Sequence, residues 1–373
     1  MMSFKFRLYP SKQQTQTLND SIEVCRLLYN QSLEERLKDK GLRYYEQKRN
    51  LTQKRKVTPA LQSIHSQVLQ DVVWRVDRAF QNYHRDFKVG RPNFKRHGRY
   101  NSITYPQSGS FYIKENRLRL AFIDGLIKLR LHRIPIGTIK TCTIIRDIDR
   151  WFACFSCDIM MEKTTNGITA SIDVGLHNWI VLNNGKHVER PRFLDTAVEN
   201  IKRLQRDLSR KKKGSMHWQK AKIALAKAWR KVRLQREDYC QKVTANLAKR
   251  FETIVFEKLS ISKMVKNHKL AGKILDATWY KLRQLAAYKA EVVTVDPSNT
   301  TQICSSCGFI PEKRIGLHVR TYECGSCGLI IDRDHNAALN ILKLGSEGTL
   351  VEKEHLLAKN KQATSMKHEA HTL

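Results

Sequence analysis

The chain has 373 residues, of which 41% are hydrophobic, and its 68 Lys and Arg against 35 Asp and Glu give a formal net charge of +33. Because one domain commonly holds roughly 100 to 200 residues, this length argues against a single ordinary core and predicts two or three folded units. So large a positive charge favours a polyanion partner, and nucleic acid is the first candidate. A membrane surface is the weaker candidate, since the sequence shows no signal peptide, lipidation signal or long apolar stretch, and we expect a protein of the cytoplasm or nucleoid.

The first predicted elements are a strand followed by helices. Residues 4–9 alternate apolar and basic side chains, which predicts a strand. Ser11 then precedes a helical pattern that begins near Lys12. Two sets of apolar residues at spacings of three and four predict amphipathic helices with polar outer faces. They are Leu18, Ile22, Cys25, Tyr29 and Leu33, then Leu61, Ile64, Val68, Val72 and Val76.

Short strands are predicted from Gly90 onward. Gly and Pro separate apolar runs at residues 117–120, 127–131, 139–145 and 151–159, a pattern typical of a small β-barrel or sheet. The last run contains Cys154 and Cys157, whose side chains would point to opposite faces of a strand. We therefore interpret this pair as packing residues and not as metal ligands, and we interpret Cys25, Cys142 and Cys240 in the same way.

A polar linker at residues 162–167 predicts the start of a new domain near residue 165. A polar loop is expected after residue 256, and a mobile tail beyond Leu344. The order of strands and helices suits an α/β core with an insertion. Strands are predicted at residues 168–174, 179–182, 187–189, 253–256 and 291–295, and helices over 195–250 with a break at 213–215, over 279–290, and from about 334.

Three acids of this second half suit phosphodiester chemistry. Asp173 interrupts an apolar strand, Glu257 ends another, and Asp332 or Asp334 lies at the start of an Ala- and Leu-rich helix. Each acid alone is explained as a turn former or as a partner of the helix dipole. Together they could converge on two divalent ions about 4 Å apart, the arrangement that phosphodiester hydrolysis uses. Oxygen ligands of this kind suit Mg²⁺ or Mn²⁺.

Two CxxC pairs late in the chain predict a metal site. Each pair is followed directly by a glycine, and sixteen residues separate the pairs, a spacing typical of a zinc ribbon. Reactive redox thiols are the alternative interpretation. We predict one structural Zn²⁺, in a module whose basic residues suit a contact with nucleic acid. The four ligands would be Cys304, Cys307, Cys324 and Cys327.

The motifs IDVG around Asp173, VFEKLS around Glu257, CSSCG, CGSCG and DRDHNAALNIL occur in this order. In that order they resemble the TnpB (OrfB) family of insertion-sequence-encoded RNA-guided nucleases, which is related to the compact type V CRISPR effectors. FKFRLYPSKQQ near the start and VTVDPSNTTQICSSCG before the cysteines extend the resemblance over nearly the whole chain.

The resemblance implies an α/β and β multidomain fold, with an N-terminal barrel followed by a nuclease core that contains a zinc ribbon. The implied parts are a wedge-like β-barrel at residues 1–10 and 90–163, a helical recognition insert at 11–89, an RNase H-like RuvC core with a basic helical hairpin at 164–302 and 329–345, a zinc ribbon that contacts target nucleic acid at 303–328, and a flexible tail at 346–373.

The resemblance also implies an RNA-guided DNA endonuclease of a prokaryote. Asp173, Glu257 and Asp334 would be the catalytic residues that bind two Mg²⁺ or Mn²⁺ ions, and Asp334 is preferred over Asp332 because it lies two residues before Asn336. The partners would be a guide RNA from the transposon end and double-stranded DNA with a short flanking motif read by the protein, in a monomeric ribonucleoprotein. Two alternatives stay open: a guided DNA-binding regulator without cleavage, and a transposase that performs strand transfer itself.

Overall fold

The computed structural model describes residues 2–86, 89–159, 162–316, 318–346 and 352–353. These residues form two compact units that divide between residues 159 and 162. Each unit has its own large β-sheet and its own apolar core, and the second unit also holds a two-stranded sheet. Within the described ranges, no helix is long and apolar enough to cross a membrane.

The first unit combines strands with a block of helices that follows the first strand. Its described strands are β1 (Met2–Tyr9), β2 (Ser102–Tyr105), β3 (Phe111–Lys114), β4 (Arg117–Leu120), β5 (Leu126–Arg130), β6 (Thr138–Asp147) and β7 (Arg150–Asp158). Its described helices are α1 (Lys12–Lys38), α2 (Tyr44–Val57), α3 (Pro59–Gln62) and α4 (Ser66–Arg85). The predicted strand at residues 4–9 and the helix start near Lys12 are confirmed.

The seven strands form one antiparallel sheet in the order β2, β6, β7, β1, β5, β4, β3. The sheet is curled, so that its two ends approach each other. Tyr105 at the end of β2 donates a hydrogen bond of 3.2 Å to the carbonyl of Ala121, just beyond β4. The rings of Phe111 in β3 and Phe155 in β7 lie 6.3 Å apart between centroids inside the curl.

The helical block packs its apolar face into the same core. A capping box fixes the start of α1: the Ser11 hydroxyl accepts from the Gln14 N–H at 3.1 Å, and the Gln14 side chain accepts from the Ser11 N–H at 3.0 Å. The predicted apolar positions on α1 and α4 are buried in the core. Cys25, Cys142 and Cys157 are also buried there, which confirms their interpretation as packing residues.

The second unit holds a mixed sheet, a long helical hairpin and several shorter helices. Its described strands are β8 (Thr169–Val174), β9 (Asn178–Leu182), β10 (His187–Glu189), β11 (Thr253–Glu257), β12 (Glu291–Val295), β13 (Thr321–Glu323), β14 (Ile330–Asp332) and β15 (Glu352–Lys353). Its described helices are α5 (Phe193–Ser209), α6 (Met216–Arg250), α7 (Ile261–Met264), α8 (His268–Ala277), α9 (Trp279–Ala287) and α10 (Arg333–Ser346).

One expectation for this unit is wrong: the stretch after β11 is not simply a polar loop, because it contains α7 and α8. Asn267 caps α8 by accepting a hydrogen bond of 3.1 Å from the Lys269 N–H. Ile274 and Ala277 are buried on its inner face. Gly272 in mid-helix and the several lysines of this stretch hide the helical pattern in the sequence.

The larger sheet of this unit has the strand order β10, β9, β8, β11, β12, β15. Strands β8, β11 and β12 are parallel, and β9 runs antiparallel to β8. One face packs with α6, α8 and α9. The opposite face contributes Val255, Val293 and Val295, which pack against Ile341 of α10. Helix α10 therefore covers the second face of the sheet. The candidate site lies on this face, next to the first turn of α10.

The tail predicted for residues 346–373 is described at three positions. Ser346 ends α10, and Glu352 and Lys353 form β15, which pairs antiparallel with β12. The other residues of that tail lie outside the described ranges.

Candidate functional site

The first two acids lie side by side at the ends of neighbouring parallel strands. Ile172 of β8 and Phe256 of β11 are paired in register, and both side chains belong to the core on the α9 face. Because side chains alternate along a strand, Asp173 and Glu257 point to the opposite face, under α10. Asp173 is 7% exposed, and Glu257 is half-buried.

The third acid, Asp334, lies in the first turn of α10, on the same face of the sheet. Helix α10 is held to β8 by the Ser171 hydroxyl, which donates to the Ala338 carbonyl. Gly175, at the turn after β8, makes room for the close approach of the Asn178 carbonyl within the turn between β8 and β9. A Cβ atom there would lie 2.7 Å from the Asn178 carbonyl oxygen and 4.0 Å from Oδ2 of Asp334.

Asp332 has a different role from Asp334. Asp332 is exposed, and its carboxylate accepts a hydrogen bond of 2.9 Å from the His335 N–H, the third residue of α10. This is the geometry of a helix N-cap. Asp334 is 5% exposed, and its negative charge acts on Asp173. The structure therefore places Asp332 at a capping position and Asp334 in the buried group.

The electrostatics of Asp173 reflect its burial and its two acidic neighbours. Burial raises the pKa of Asp173 well above its usual range, and the negative charges of Glu257 and Asp334 raise it further. Burial also raises the pKa of Glu257, an effect that the hydrogen bond from the Thr300 hydroxyl opposes. Buried carboxylates that repel each other in this way are suited to binding cations.

Two arginines, which the sequence reasoning missed, flank Asp334. The Arg333 guanidinium lies 2.9 Å from Oδ1 of Asp334, and the Arg320 guanidinium lies 3.4 Å from Oδ2. Arg333 is buried, whereas Arg320 is about half exposed. In the sequence, Arg333 lies between two acids, Asp332 and Asp334. Only the tertiary structure shows that it pairs with the buried Asp334.

The three carboxylates are more widely spread than the ligands of a single ion. In the part of the chain that the structure describes, the four cysteines alone form a group of three or more His, Cys, Asp or Glu ligand atoms within 4.8 Å of one another. A pair of ions about 4 Å apart divides its ligands between two centres, so its carboxylates need not all be this close. The donor set, three oxygen-bearing acids of which two are buried, fits a pair of hard divalent cations.

Replacement of Asp173 by Asn is expected to stabilise the protein when no Mg²⁺ is added. Because the pKa of Asp173 is raised in the fold, its ionisation at neutral pH costs stability, and an amide removes that cost. We therefore expect the free energy of unfolding to be higher in Asp173→Asn than in the parent at pH 7. The gain should shrink as the pH falls and vanish below pH ~4, where the unfolded carboxyl is also protonated.

Hydrogen exchange of the backbone amides of β8 and β11 measures the change in stability of the sheet that carries Asp173. The exposed Asp332 provides a control, since Asp332→Asn keeps the helix cap and should give no such gain. An equal effect of both variants, or a gain independent of pH, would show that the ionisation of buried Asp173 is not its cause.

The four cysteines form the second part of the site. The Sγ atoms of Cys304 and Cys327 lie 3.7 Å apart, and those of Cys307 and Cys324 lie 3.6 Å apart. Four thiolates bound to Zn²⁺ at about 2.3 Å in a tetrahedron have sulfur atoms about 3.8 Å apart. The predicted four-cysteine cluster is confirmed, and it fits a zinc site.

Each CxxC pair forms the same tight turn. The Gly308 N–H donates to the Cys304 carbonyl at 2.9 Å, and the Gly328 N–H donates to the Cys324 carbonyl at 3.0 Å. Both glycines have positive φ angles, 78° and 72°, which other residues rarely adopt. Hydrogen bonds from the Cys327 and then the Ser326 backbone N–H lower the pKa of the Cys324 thiol to about 6, which favours the thiolate form.

The other CxxC pair is not a ligand set. Cys157 points into the core of the first unit and Cys154 lies on the other face of β7. Burial raises the pKa of Cys154 to about 11, so that its thiol stays protonated at neutral pH. This confirms the interpretation made from strand alternation.

Known family models match several parts of the chain. The model OrfB_IS605, described as "Probable transposase", matches residues 152–268, which include Asp173 and Glu257. The model described as "Cas12f1-like, TNB domain" matches residues 279–341, which include Asp334 and the four cysteines. The model HTH_OrfB_IS605, described as "Helix-turn-helix domain", matches residues 1–49.

Two bacterial proteins are similar over most of their length. A Streptomyces pristinaespiralis protein named "Putative RNA-guided DNA endonuclease" is 30% identical over 86% of this chain and 83% of that protein. An Escherichia coli (strain K12) protein named "Putative RNA-guided DNA endonuclease InsQ" is 27% identical over 83% of this chain and 83% of that protein.

A solved structure shares the fold. The chain matches the Cas12f1 protein of a cryo-EM complex of Cas12f1 with sgRNA and target DNA, with a TM-score of 0.58 and 17% identity, over 92% of this chain and 84% of that one. The chain therefore has a Cas12f1-like multidomain α/β fold, with a curled sheet in one unit and the four-cysteine cluster in the other.

Proposed function

Since the chain belongs to the TnpB (OrfB) family, which is related to the compact type V effectors, we propose that it is an RNA-guided DNA endonuclease of an insertion sequence. The observation that carries this proposal is the group of Asp173, Glu257 and Asp334 at one end of the sheet, under the first turn of α10. The relatives named as RNA-guided DNA endonucleases support the same reaction.

In this proposal the larger sheet of the second unit is an RNase H-like RuvC core. The order β10, β9, β8, β11, β12, with β9 antiparallel to β8 and the next strands parallel to it, supports this assignment. The hairpin α5 and α6 then belongs to the core at residues 164–302 and 329–345, and the zinc ribbon at 303–328 contacts target nucleic acid. The curled sheet is the wedge-like barrel, and the helices within 11–89 are its recognition insert.

The catalytic role falls to the three acids, of which two are buried and Glu257 is half-buried. Asp173, Glu257 and Asp334 would hold two Mg²⁺ or Mn²⁺ ions, which activate water and stabilise the leaving oxygen of the DNA strand when bound. Burial of the acids keeps bulk water away from their charges and strengthens their attraction for cations. Arg333 partly balances the charge of Asp334.

The proposed partners are a guide RNA from the transposon end and double-stranded DNA. A net charge of +33 suits binding of two polyanions by a single chain, which we propose acts as a monomeric ribonucleoprotein associated with the nucleoid. Base pairing with the guide would read the target sequence, and the protein would read a short flanking motif. The solved complex of Cas12f1 contains both kinds of partner.

The exposed lysines of the α5 and α6 hairpin are expected to contact phosphates. Simultaneous replacement of four of them by Ala should weaken DNA binding by the ribonucleoprotein and flatten the plot of log affinity against log salt concentration. Each lost phosphate contact lowers the slope by roughly 0.9. The four are Lys212, Lys213, Lys220 and Lys231.

Binding titrations of matched DNA at several KCl concentrations measure the slope. Arg at the same four positions keeps the charge and should keep the slope of the parent protein. If the Ala variant has the parent slope, these lysines are ordinary solvated surface charges, which is the alternative for this hairpin.

The function is tested by purifying the protein with its RNA, sequencing that RNA, and offering a plasmid library with a matching target and randomised flanks. Cleavage that needs Mg²⁺, the guide match and one flanking motif would establish the nuclease. Bound RNA and DNA without cleavage would favour a guided regulator, and joining of DNA ends without RNA would favour a transposase.

A further inference from the structure

The segment between β12 and the first cysteine pair has a well-defined backbone. The Asp296 carboxylate accepts a hydrogen bond of 2.7 Å from the Ser298 N–H. Asn299 adopts a left-handed conformation with φ of 61°, and its carbonyl accepts from the N–H groups of Gln302 at 2.9 Å and Ile303 at 3.0 Å. These local bonds fix the position of the residue that follows Asn299.

That residue is Thr300, which is 2% exposed and lies against Glu257. Its hydroxyl donates to Oε1 of Glu257, and the Pro297 carbonyl lies 3.3 Å away as a second acceptor. A hydroxyl has one proton to donate, and a carboxylate is a stronger acceptor than a neutral carbonyl. Thr300 therefore holds one oxygen of the Glu257 carboxylate in a fixed place.

Two asparagines of α10 hold this segment from the other side. The Asn340 amide donates to the carbonyls of Thr300 at 2.8 Å and Ile303 at 2.7 Å. The Asn336 amide also donates to the Ile303 carbonyl, at 2.7 Å, and accepts from the Ser305 N–H at 2.9 Å. Both asparagines are at least nine-tenths buried. Helix α10, which carries Asp334, therefore binds the backbone at Thr300. It also binds the backbone at Ser305, in the turn of the first CxxC pair.

We propose that Thr300 is a positioning residue for Glu257, kept in place by Asn336 and Asn340. This inference rests on the proposed role of Glu257 as a metal ligand. Hydrogen bonds to ligating carboxylates orient them, and their loss typically costs 10- to 100-fold in metal affinity or activity. One network then connects two of the three acids with the zinc module, because Asn336 and Asn340 share a helix with Asp334.

Thr300→Val tests the proposal, since it removes the hydroxyl and keeps the shape of the side chain. We expect Mn²⁺ binding, measured by electron paramagnetic resonance, to weaken by about 10- to 100-fold. DNA cleavage should need correspondingly more Mg²⁺ and recover at saturating Mg²⁺, while zinc content stays that of the parent. Thr300→Ser is the matched control and should bind Mn²⁺ like the parent.

The Mn²⁺ titration uses RNA-free full-length protein, and Asp173→Ala gives the background of ions bound elsewhere. Parent-like Mn²⁺ affinity in Thr300→Val would overturn the inference while leaving the proposed nuclease intact. A different outcome is that Thr300→Val binds Mn²⁺ more weakly while the parent binds Mn²⁺ but does not cut DNA. This outcome would support the role of Thr300 and refute the proposed nuclease activity. A parent with no Mn²⁺ binding above background would overturn both. If Thr300→Val does not fold, Thr300→Ala removes the same hydroxyl and decides the question.

Discussion

Replacement of Asp173, Glu257 or Asp334 by the matching amide is expected to lower the DNA cleavage rate by roughly 10³-fold or more. Each amide keeps the size of the side chain and removes one negative charge from the metal ligands. A bound metal stabilises the transition state by several kcal/mol, and about 4 kcal/mol corresponds to roughly 10³ in rate. Guide RNA and DNA binding should stay at the parent level, because these acids are largely or partly buried in the second unit and are not surface cations.

Single-turnover cleavage of a matched target at saturating Mg²⁺ measures the effect. Asp332→Asn is the matched control: it changes an acid two residues from Asp334, and Asn caps a helix as well as Asp does. We expect its cleavage rate to equal that of the parent. If Asp332→Asn loses activity and Asp334→Asn keeps it, the assignment of the third acid is wrong. If all three amide variants cleave DNA at the parent rate, these three acids are not the catalytic residues.

Local patterns in the sequence were enough to predict the strands that carry the first two acids. The alternation around Asp173 and Glu257 predicts on which face of a strand each acid lies. The structure adds the register, which pairs Ile172 with Phe256 and so brings the two acids together. Register between distant strands depends on non-local packing, which the sequence of either strand alone does not contain.

The residues that hold the acids in place were not predictable in this way. In the sequence, Thr300 and Asn340 are ordinary polar residues, and Asn336 served only to choose between Asp334 and Asp332. The importance of all three for this network comes from burial next to backbone groups far along the chain. A weak signal existed: Asn336 and Asn340 are four residues apart on an apolar helix, so they share one face. Polar residues on a buried face need partners, and this predicts a hydrogen-bond network without naming its members.

Loss of Zn²⁺ is expected to unfold residues 304–332 while the larger sheet of the second unit stays folded. The apolar core of this module is small: Tyr322 with Cys304 and Cys324, supported by three partly buried aliphatic residues. Burial of one large side chain contributes about 1.5 to 3 kcal/mol, whereas zinc binding contributes about 10 to 16 kcal/mol in small zinc modules. Zinc is therefore expected to be the largest single contribution to the stability of this module.

Metal analysis and limited trypsin digestion measure this outcome together. The parent should contain one Zn²⁺ per chain, and Cys324→Ser should lose it and become cleavable at Lys313, Arg314 or Arg320. Cys154→Ala is the matched control, because it disrupts the other CxxC pair, whose thiols lie on opposite faces of β7. A zinc content that falls in Cys154→Ala and not in Cys324→Ser would reverse the assignment. Since Asn336 and Asn340 bind the backbone next to Cys304, loss of zinc should also release Thr300 and reduce Mn²⁺ affinity at Glu257.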